Sequence, residues 1–205
     1  YIERISASTY TAQKRGGKGI TALSTRDNDF VNYLFTTTTH HYILFFTNKG
    51  KVYRLKAYEI PEASRQARGT AIVNILQLEQ DEEVTTVIPI KEFVDDFYLL
   101  MSTKNGIIKR TDLSQYDSSR KNGLIAITLN EGDELISVEL TDGNQEVIMG
   151  TKNGYAIRFS ENEIRVVGRT AIGVKGISLR EDDEVIGVGI LDQDKYILCV
   201  TENGY

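Results

Sequence analysis

Gln13-Lys14-Arg15-Gly16-Gly17-Lys18-Gly19 places three cations and three glycines within seven residues. Glycines let the backbone approach a ligand closely and turn its N–H groups toward an anion. Lys14, Arg15 and Lys18 add positive charge in the same turn, and the combination suits phosphate. More cations stand in comparable loops further on: Arg65 and Arg68, Arg120 and Lys121, then Arg165, Arg169 and Lys175. These loops hold little else that would read base edges in a fixed register. They suit recognition of a nucleic-acid backbone by shape and charge, not by sequence.

The residues for other chemistries are missing. His40 and His41 are the only histidines and are adjacent, so on a strand they point to opposite faces and make a poor metal pair. No Ser-His-Asp set and no P-loop can be assembled. Acidic runs such as Asp182-Asp183-Glu184 lack the EF-hand spacing. No catalytic residue, no metal site and no cofactor is expected in this chain.

The elements that position the basic loops are repeated. Thr47-Asn48-Lys49-Gly50, Thr103-Lys104-Asn105-Gly106, Thr151-Lys152-Asn153-Gly154 and Thr201-Glu202-Asn203-Gly204 are copies of one turn, with glycines 56, 48 and 50 residues apart. Tyr1-Ile2-Glu3-Arg4 matches the residues just after each turn glycine. The chain therefore reads as four repeats, at about 1–50, 51–106, 107–154 and 155–204, in one domain over 1–205. Each turn is flanked by apolar and β-branched runs, with a glycine for the positive φ of a tight hairpin. After each hairpin the pattern predicts a polar loop, a short strand, an acidic turn and another strand. The short strands are expected at 19–23, 69–76, 123–129 and 176–179, and the later ones at 31–35, 84–90, 135–140 and 185–191. Four strands per repeat make a propeller-type blade, with almost no helix.

Tyr10, Ile60, Tyr116 and Ile164 stand ten residues after successive turn glycines and are expected to anchor the loops to the blades. Charge follows the repeat as well. The net charge is −5, yet twenty of the 24 lysines and arginines and only eight of the 29 carboxylates fall in the hairpin-plus-loop segments. The expectation is a basic rim with the acidic turns opposite it. The lone Cys199 lies among Ile197, Leu198 and Val200 and is expected to be buried, without an internal disulfide. No apolar run has the length of a membrane span.

The glycine-rich turn resembles QRRGGKG, the signature heptapeptide of the DNA gyrase A subunit's C-terminal domain, with Lys14 in place of the usual arginine. The fifty-residue period and the Asn-Gly hairpins with Arg or Lys three to four residues on resemble the same family over the whole chain. The resemblance implies an all-β pinwheel, a propeller-like disc of four-stranded blades, with four of an expected six blades here, as in a fragment. It implies a non-catalytic domain of a bacterial type IIA topoisomerase that bends duplex DNA round its rim. The heptapeptide, Gln13 to Gly19, would serve a wrap of fixed hand and hence negative supercoiling. ATP and magnesium would act only in the full enzyme. The implied partners are duplex DNA, the rest of the A subunit, and the B subunit in a heterotetramer, in the cytoplasm at the nucleoid. The isolated domain is expected to be monomeric. The alternatives are the related DNA-bending domain of topoisomerase IV, whose heptapeptide is degenerate, and a propeller used as a protein-binding platform.

Overall fold

The computed structural model describes residues 1–10, 15–17, 25, 29–64, 67–118, 123–191 and 196–204. Its regular elements are strands and single 3-10 turns. In chain order the strands are β1 (Tyr42–Thr47), β2 (Lys51–Lys56), β3 (Val84–Ile90), β4 (Tyr98–Thr103), β5 (Ile107–Asp112), β6 (Leu124–Ile125), β7 (Leu135–Thr141), β8 (Glu146–Thr151), β9 (Ala156–Ser160), β10 (Val174–Lys175) and β11 (Val185–Leu191).

Hairpins form the centre of each sheet. β1 pairs with β2, β4 with β5 and β8 with β9, all antiparallel. Gly50, Gly106 and Gly154 close the turns at φ +70°, +83° and +84°, a region that side chains with a Cβ disfavour. The strand after each acidic turn lies on the other side of the hairpin, giving β3-β1-β2-β6, β10-β5-β4-β7 and β11-β8-β9. β7 packs against both β3 and β11, so these three strands are innermost and β6 and β10 outermost.

The outermost strand comes from the following repeat. β6 follows the second hairpin but pairs with β2 of the first, and β10 follows the third hairpin but pairs with β5 of the second. Each of these two sheets is therefore completed by a strand of the next repeat. The handover also builds the core between neighbouring sheets. Leu44 and Phe46 of β1, Met101 of β4, Tyr116 and Ile127 form one buried cluster. Burying each such side chain contributes roughly 1.5–3 kcal/mol as an upper estimate.

Several segments depart from the sequence pattern. The short strand predicted at 123–129 is cut to 124–125, and the one predicted at 176–179 stands instead just before that range, at 174–175, because the chain then turns inward beneath the preceding hairpin. There Ala126 N–H donates to Gly50 O at 2.7 Å and Gly176 N–H to Gly106 O at 2.8 Å, and Ile127 and Ile177 are buried. Over 69–76 only Thr70 bridges, to Ile2, and residues 72–74 form a 3-10 turn. Residues 31–35 form no strand. Their counterparts β3, β7 and β11 each pair with a hairpin's first strand, and among the described residues no such first strand lies beside 31–35. Cys199 is exposed, because residues 196–200 join no ladder that would cover it.

Candidate nucleic-acid interface

Three of the loops start from an anchored 3-10 turn. Ile60, Tyr116 and Ile164 are 4%, 1% and 4% exposed, so the anchor reading holds for three repeats. Tyr116 also donates its hydroxyl to Ala126 O at 3.0 Å. Tyr10, at the same offset, is 40% exposed. From their anchors the loops after Tyr116 and Ile164 cross to the preceding sheet and end in its outermost strand, and the loop after Ile60 reaches Ile2.

The basic residues sit on these crossings. Arg68 precedes Thr70, which pairs with Ile2, and is exposed. Arg165 is exposed beside Val166, which bridges Arg110 of the preceding hairpin. Lys175 is exposed within β10 itself. Arg15 and Gly16 form an exposed turn with Gly16 at φ +89°, and a Cβ there would meet nothing within 4 Å. Gln13, Lys14, Lys18 and Gly19 lie outside the described residues, as do Arg65, Arg120 and Lys121.

Arg169 is different. Its guanidinium donates to Ile125 O, its backbone N–H donates to Gln115 Oε1 at 2.8 Å, and its carbonyl accepts from Lys109 Nζ at 2.5 Å. It binds the fourth repeat's loop to β6 of the first sheet. Lys109 is wholly buried and also donates to Ala126 O at 2.5 Å. Burial, and then the Arg169 charge, push its pKa down to about 7. Nothing in the repeat pattern singles out this lysine, which stands where a hairpin cation would be taken as exposed.

The turns distribute charge differently from the sequence expectation. The acidic turns do not lie opposite the hairpin turns; they grip them. Asp133 Oδ1 accepts from Asn105 N–H at 2.9 Å and Asp183 Oδ1 from Asn153 N–H at 3.0 Å. Glu82 accepts from Thr47 Oγ1 at 2.7 Å and from the Tyr53 hydroxyl at 3.0 Å. Ion pairs Lys51–Glu79 at 2.5 Å and Lys104–Glu184 at 3.2 Å neutralise cations there. The hydrogen bond from Lys51, with its charge, holds the Glu79 carboxyl below its usual range. Turns leave backbone N–H groups without a ladder partner, and one carboxylate can satisfy two of them. Asp133 does so, taking the N–H of Glu134 at 2.9 Å as well as that of Asn105.

A second set of cations is also committed. Arg4, Arg54 and Arg110 occupy one position in successive hairpins, and each reaches the following repeat's loop. Arg4 pairs with Glu62 at 3.3 Å, Arg54 with Asp117 at 2.6 Å and Arg110 with Glu161 at 3.8 Å. Arg158, at the same position, pairs within its own sheet with Glu146 at 3.0 Å. The periodic arginine is visible in the sequence; its partners, on loops without a fixed acidic position, are not. The crossing loops, by contrast, keep Arg68, Arg165 and Lys175 exposed.

Residues 1–38, 41–91, 98–142 and 145–192 match the family model described as DNA gyrase C-terminal domain, beta-propeller. The chain belongs to that family. It is 60% identical over 176 residues to the DNA gyrase A subunit of Halalkalibacterium halodurans, covering 86% of this chain and 21% of the relative. It is 56% identical to the same subunit of Clostridium acetobutylicum, with the same coverage. The chain thus spans about a fifth of the curated relatives it matches. Among solved structures, the C-terminal domain of DNA topoisomerase IV superposes with a TM-score of 0.83 at 34% identity, covering 94% of this chain and 58% of that one. A DNA gyrase A C-terminal domain superposes at 0.73 and 32% identity, covering all of this chain and 66% of that one. The gyrase C-terminal fold is the pinwheel expected from the repeat, here with the outer strand of a sheet handed over from the next repeat. No helix among the described residues is long and apolar enough to cross a membrane.

Proposed function

We propose that this gyrase-family domain binds duplex DNA along the outer edges of its sheets and wraps it without reading sequence, so that a parent gyrase introduces negative supercoils. The observation that carries this reading is the common placement of uncommitted cations. Arg165 and Lys175 are exposed on the crossing that ends at β10, the outer strand of the second sheet, and Arg68 is exposed on the crossing that ends at the Thr70–Ile2 bridge. Acidic turns and the arginine ties engage cations elsewhere. Bending duplex round a small disc costs on the order of ten kcal/mol. Several phosphate contacts of about a kcal/mol each offset that, with affinity falling at a log–log salt slope near −0.9 per phosphate.

On this reading residues 1–205 form one domain of a longer protein. The domain is non-catalytic and needs no cofactor; ATP and magnesium act elsewhere in the enzyme. Its partners are the B subunit, together with the rest of the A subunit, in the bacterial cytoplasm. A second reading, bending without a fixed hand, draws on the TM-score of 0.83 to the topoisomerase IV domain. The glycine-rich turn from Gln13 to Gly19 favours the wrapping reading.

Sealing a nicked plasmid in the presence of the protein, then measuring linking number after its removal, separates the two. A shift of one sign that grows with protein supports wrapping. Salt-sensitive binding without a shift supports bending. Salt-insensitive or absent binding overturns both and leaves a protein-binding platform.

A further inference from the structure

The outer edge of the joint between the first and second sheets is apolar as well as basic. Ile125 of β6 is 48% exposed, and Ile172 on the fourth repeat's crossing is 42% exposed. Hydrogen bonds bring the two segments together. The Arg169 guanidinium donates to Ile125 O, Thr128 Oγ1 to Thr170 O at 2.7 Å, and Thr128 N–H to Ala171 O at 3.3 Å. The fourth repeat's crossing is thus seated on the chain at β6, and Ile125 stays open with that neighbour in place. An exposed strand edge ordinarily carries charge, which keeps other chains away. Ile125 pairs with Lys51 at the position that Lys175 takes opposite Ile107 in the second sheet. An isoleucine therefore stands where the next sheet presents a cation.

The charge around this strip has one sign. Residues 164–179 contain Arg165, Arg169 and Lys175 and no carboxylate, and residues 118–129 contain Arg120 and Lys121 and no carboxylate. The crossing from Arg165 to Lys175 also starts and ends on one strand. Val166 bridges Arg110, and Lys175 pairs with Ile107, both on β5. Between them Gly173 presses the chain onto β5, where a Cβ would stand 2.5 Å from Ile108 O. Arg165 and Lys175 therefore bracket Ile172, from points about 10 Å apart along β5. That separation straddles a minor groove, about 6 Å wide, and falls short of a major groove, about 12 Å wide.

We infer that Ile125 and Ile172 pack against the deoxyribose edges in the minor groove of duplex DNA, while Arg165 and Lys175 reach the phosphates on its two sides. The inference rests on the duplex-binding reading above and adds to it a contact that carries no charge. A surround free of carboxylates selects a polyanion. An apolar strip within that surround selects a polyanion with C–H surface between two rows of phosphate, and the minor groove supplies both. Apolar side chains meet that groove in proteins that bend DNA. Cations lose affinity as salt rises because they displace counterions, whereas an apolar contact displaces none.

Fluorescence anisotropy of a labelled linear duplex with the 205-residue chain, over a series of salt concentrations, tests this. Ile125→Ser with Ile172→Ser, both at exposed positions, should weaken binding about tenfold at every salt concentration and leave the log–log slope unchanged. Ile125→Leu with Ile172→Leu should keep the native affinity. Lys175→Gln should instead reduce the magnitude of the slope by about 0.9. Netropsin, which fills the minor groove, should compete with the native chain more than with the serine variant. Unchanged affinity or a changed slope in the serine variant, or equal competition by netropsin, would overturn the inference and leave duplex binding standing. Self-association of the native chain by light scattering, lost in the serine variant, would assign the strip to a second copy and overturn it too. A native chain without salt-sensitive duplex binding would overturn both this inference and the reading it rests on.

Discussion

Arg54, in the second strand of the first hairpin, donates from Nη1 to Asp117 Oδ1 on the third repeat's loop at 2.6 Å. Its guanidinium also lies over the Tyr42 ring, 4.5 Å from the centroid. The ion pair is half in water and contributes little alone, so Arg54→Ala should cost about 1–2 kcal/mol and Asp117→Ala only about 0.5. Urea denaturation of both variants measures the difference. Equal losses would put the whole effect on the ion pair.

Glu161 occupies the same kind of joint with no water. It is fully buried, accepts from Thr141 Oγ1 at 2.6 Å and Gln145 N–H at 2.8 Å, and faces Arg110. Glu161→Ala strands a buried arginine and should cost about 3 kcal/mol or more. The same denaturation experiment checks this, and a loss below that of Arg54→Ala would refute it.

Lys109 gives stability a pH dependence of unusual sign. Its pKa is lowered to about 7 in the folded chain from 10.5. Between those values the unfolded chain holds more protons, so this group makes stability rise with pH and level off above 10.5. Below pH 7 the ammonium is charged in both states and its burial opposes folding in full. The stability of the native chain relative to Lys109→Met should therefore increase by roughly 3 kcal/mol between pH 6.5 and pH 9.5. A flat difference would show that the ammonium keeps its charge.

Two turn glycines should respond differently to one methyl group. A Cβ on Gly50 would lie 2.7 Å from Ile127 O, whereas one on Gly154 would meet nothing within 4 Å. Both have positive φ, so Gly154→Ala should cost about 1–2 kcal/mol from backbone strain. Gly50→Ala adds a clash with the inturned chain and should cost about 3 kcal/mol or more. Melting of the two variants side by side decides it.

Much of the architecture was legible because each hairpin repeats the same glycine, the same apolar strand and the same loop anchor. Ile60, Tyr116 and Ile164 were identified from spacing alone and are buried. What spacing could not reveal was which repeat a segment serves. β6 and β10 are two residues long and pair backward, a choice made by packing beneath Gly50 and Gly106 and not by local propensity. The acidic turns were misplaced for a related reason. A carboxylate looks solvated in sequence, yet Asp133 and Asp183 cap the N–H groups of neighbouring turns. Of the phosphate-binding candidates, Arg169 proved to be a tie, and nothing in its sequence neighbourhood distinguishes it from Arg165.

The backward handover of the outer strand bears on how such a chain changes length. Because a sheet is completed by a strand of the next repeat, the seam between units is of one kind along the row. A duplication or deletion of one whole period rejoins matching seams wherever the breakpoints fall, provided both fall at the same phase. Copy number is then free to drift between genes while the joint geometry, fixed by β6, β10 and the arginine ties, stays constant.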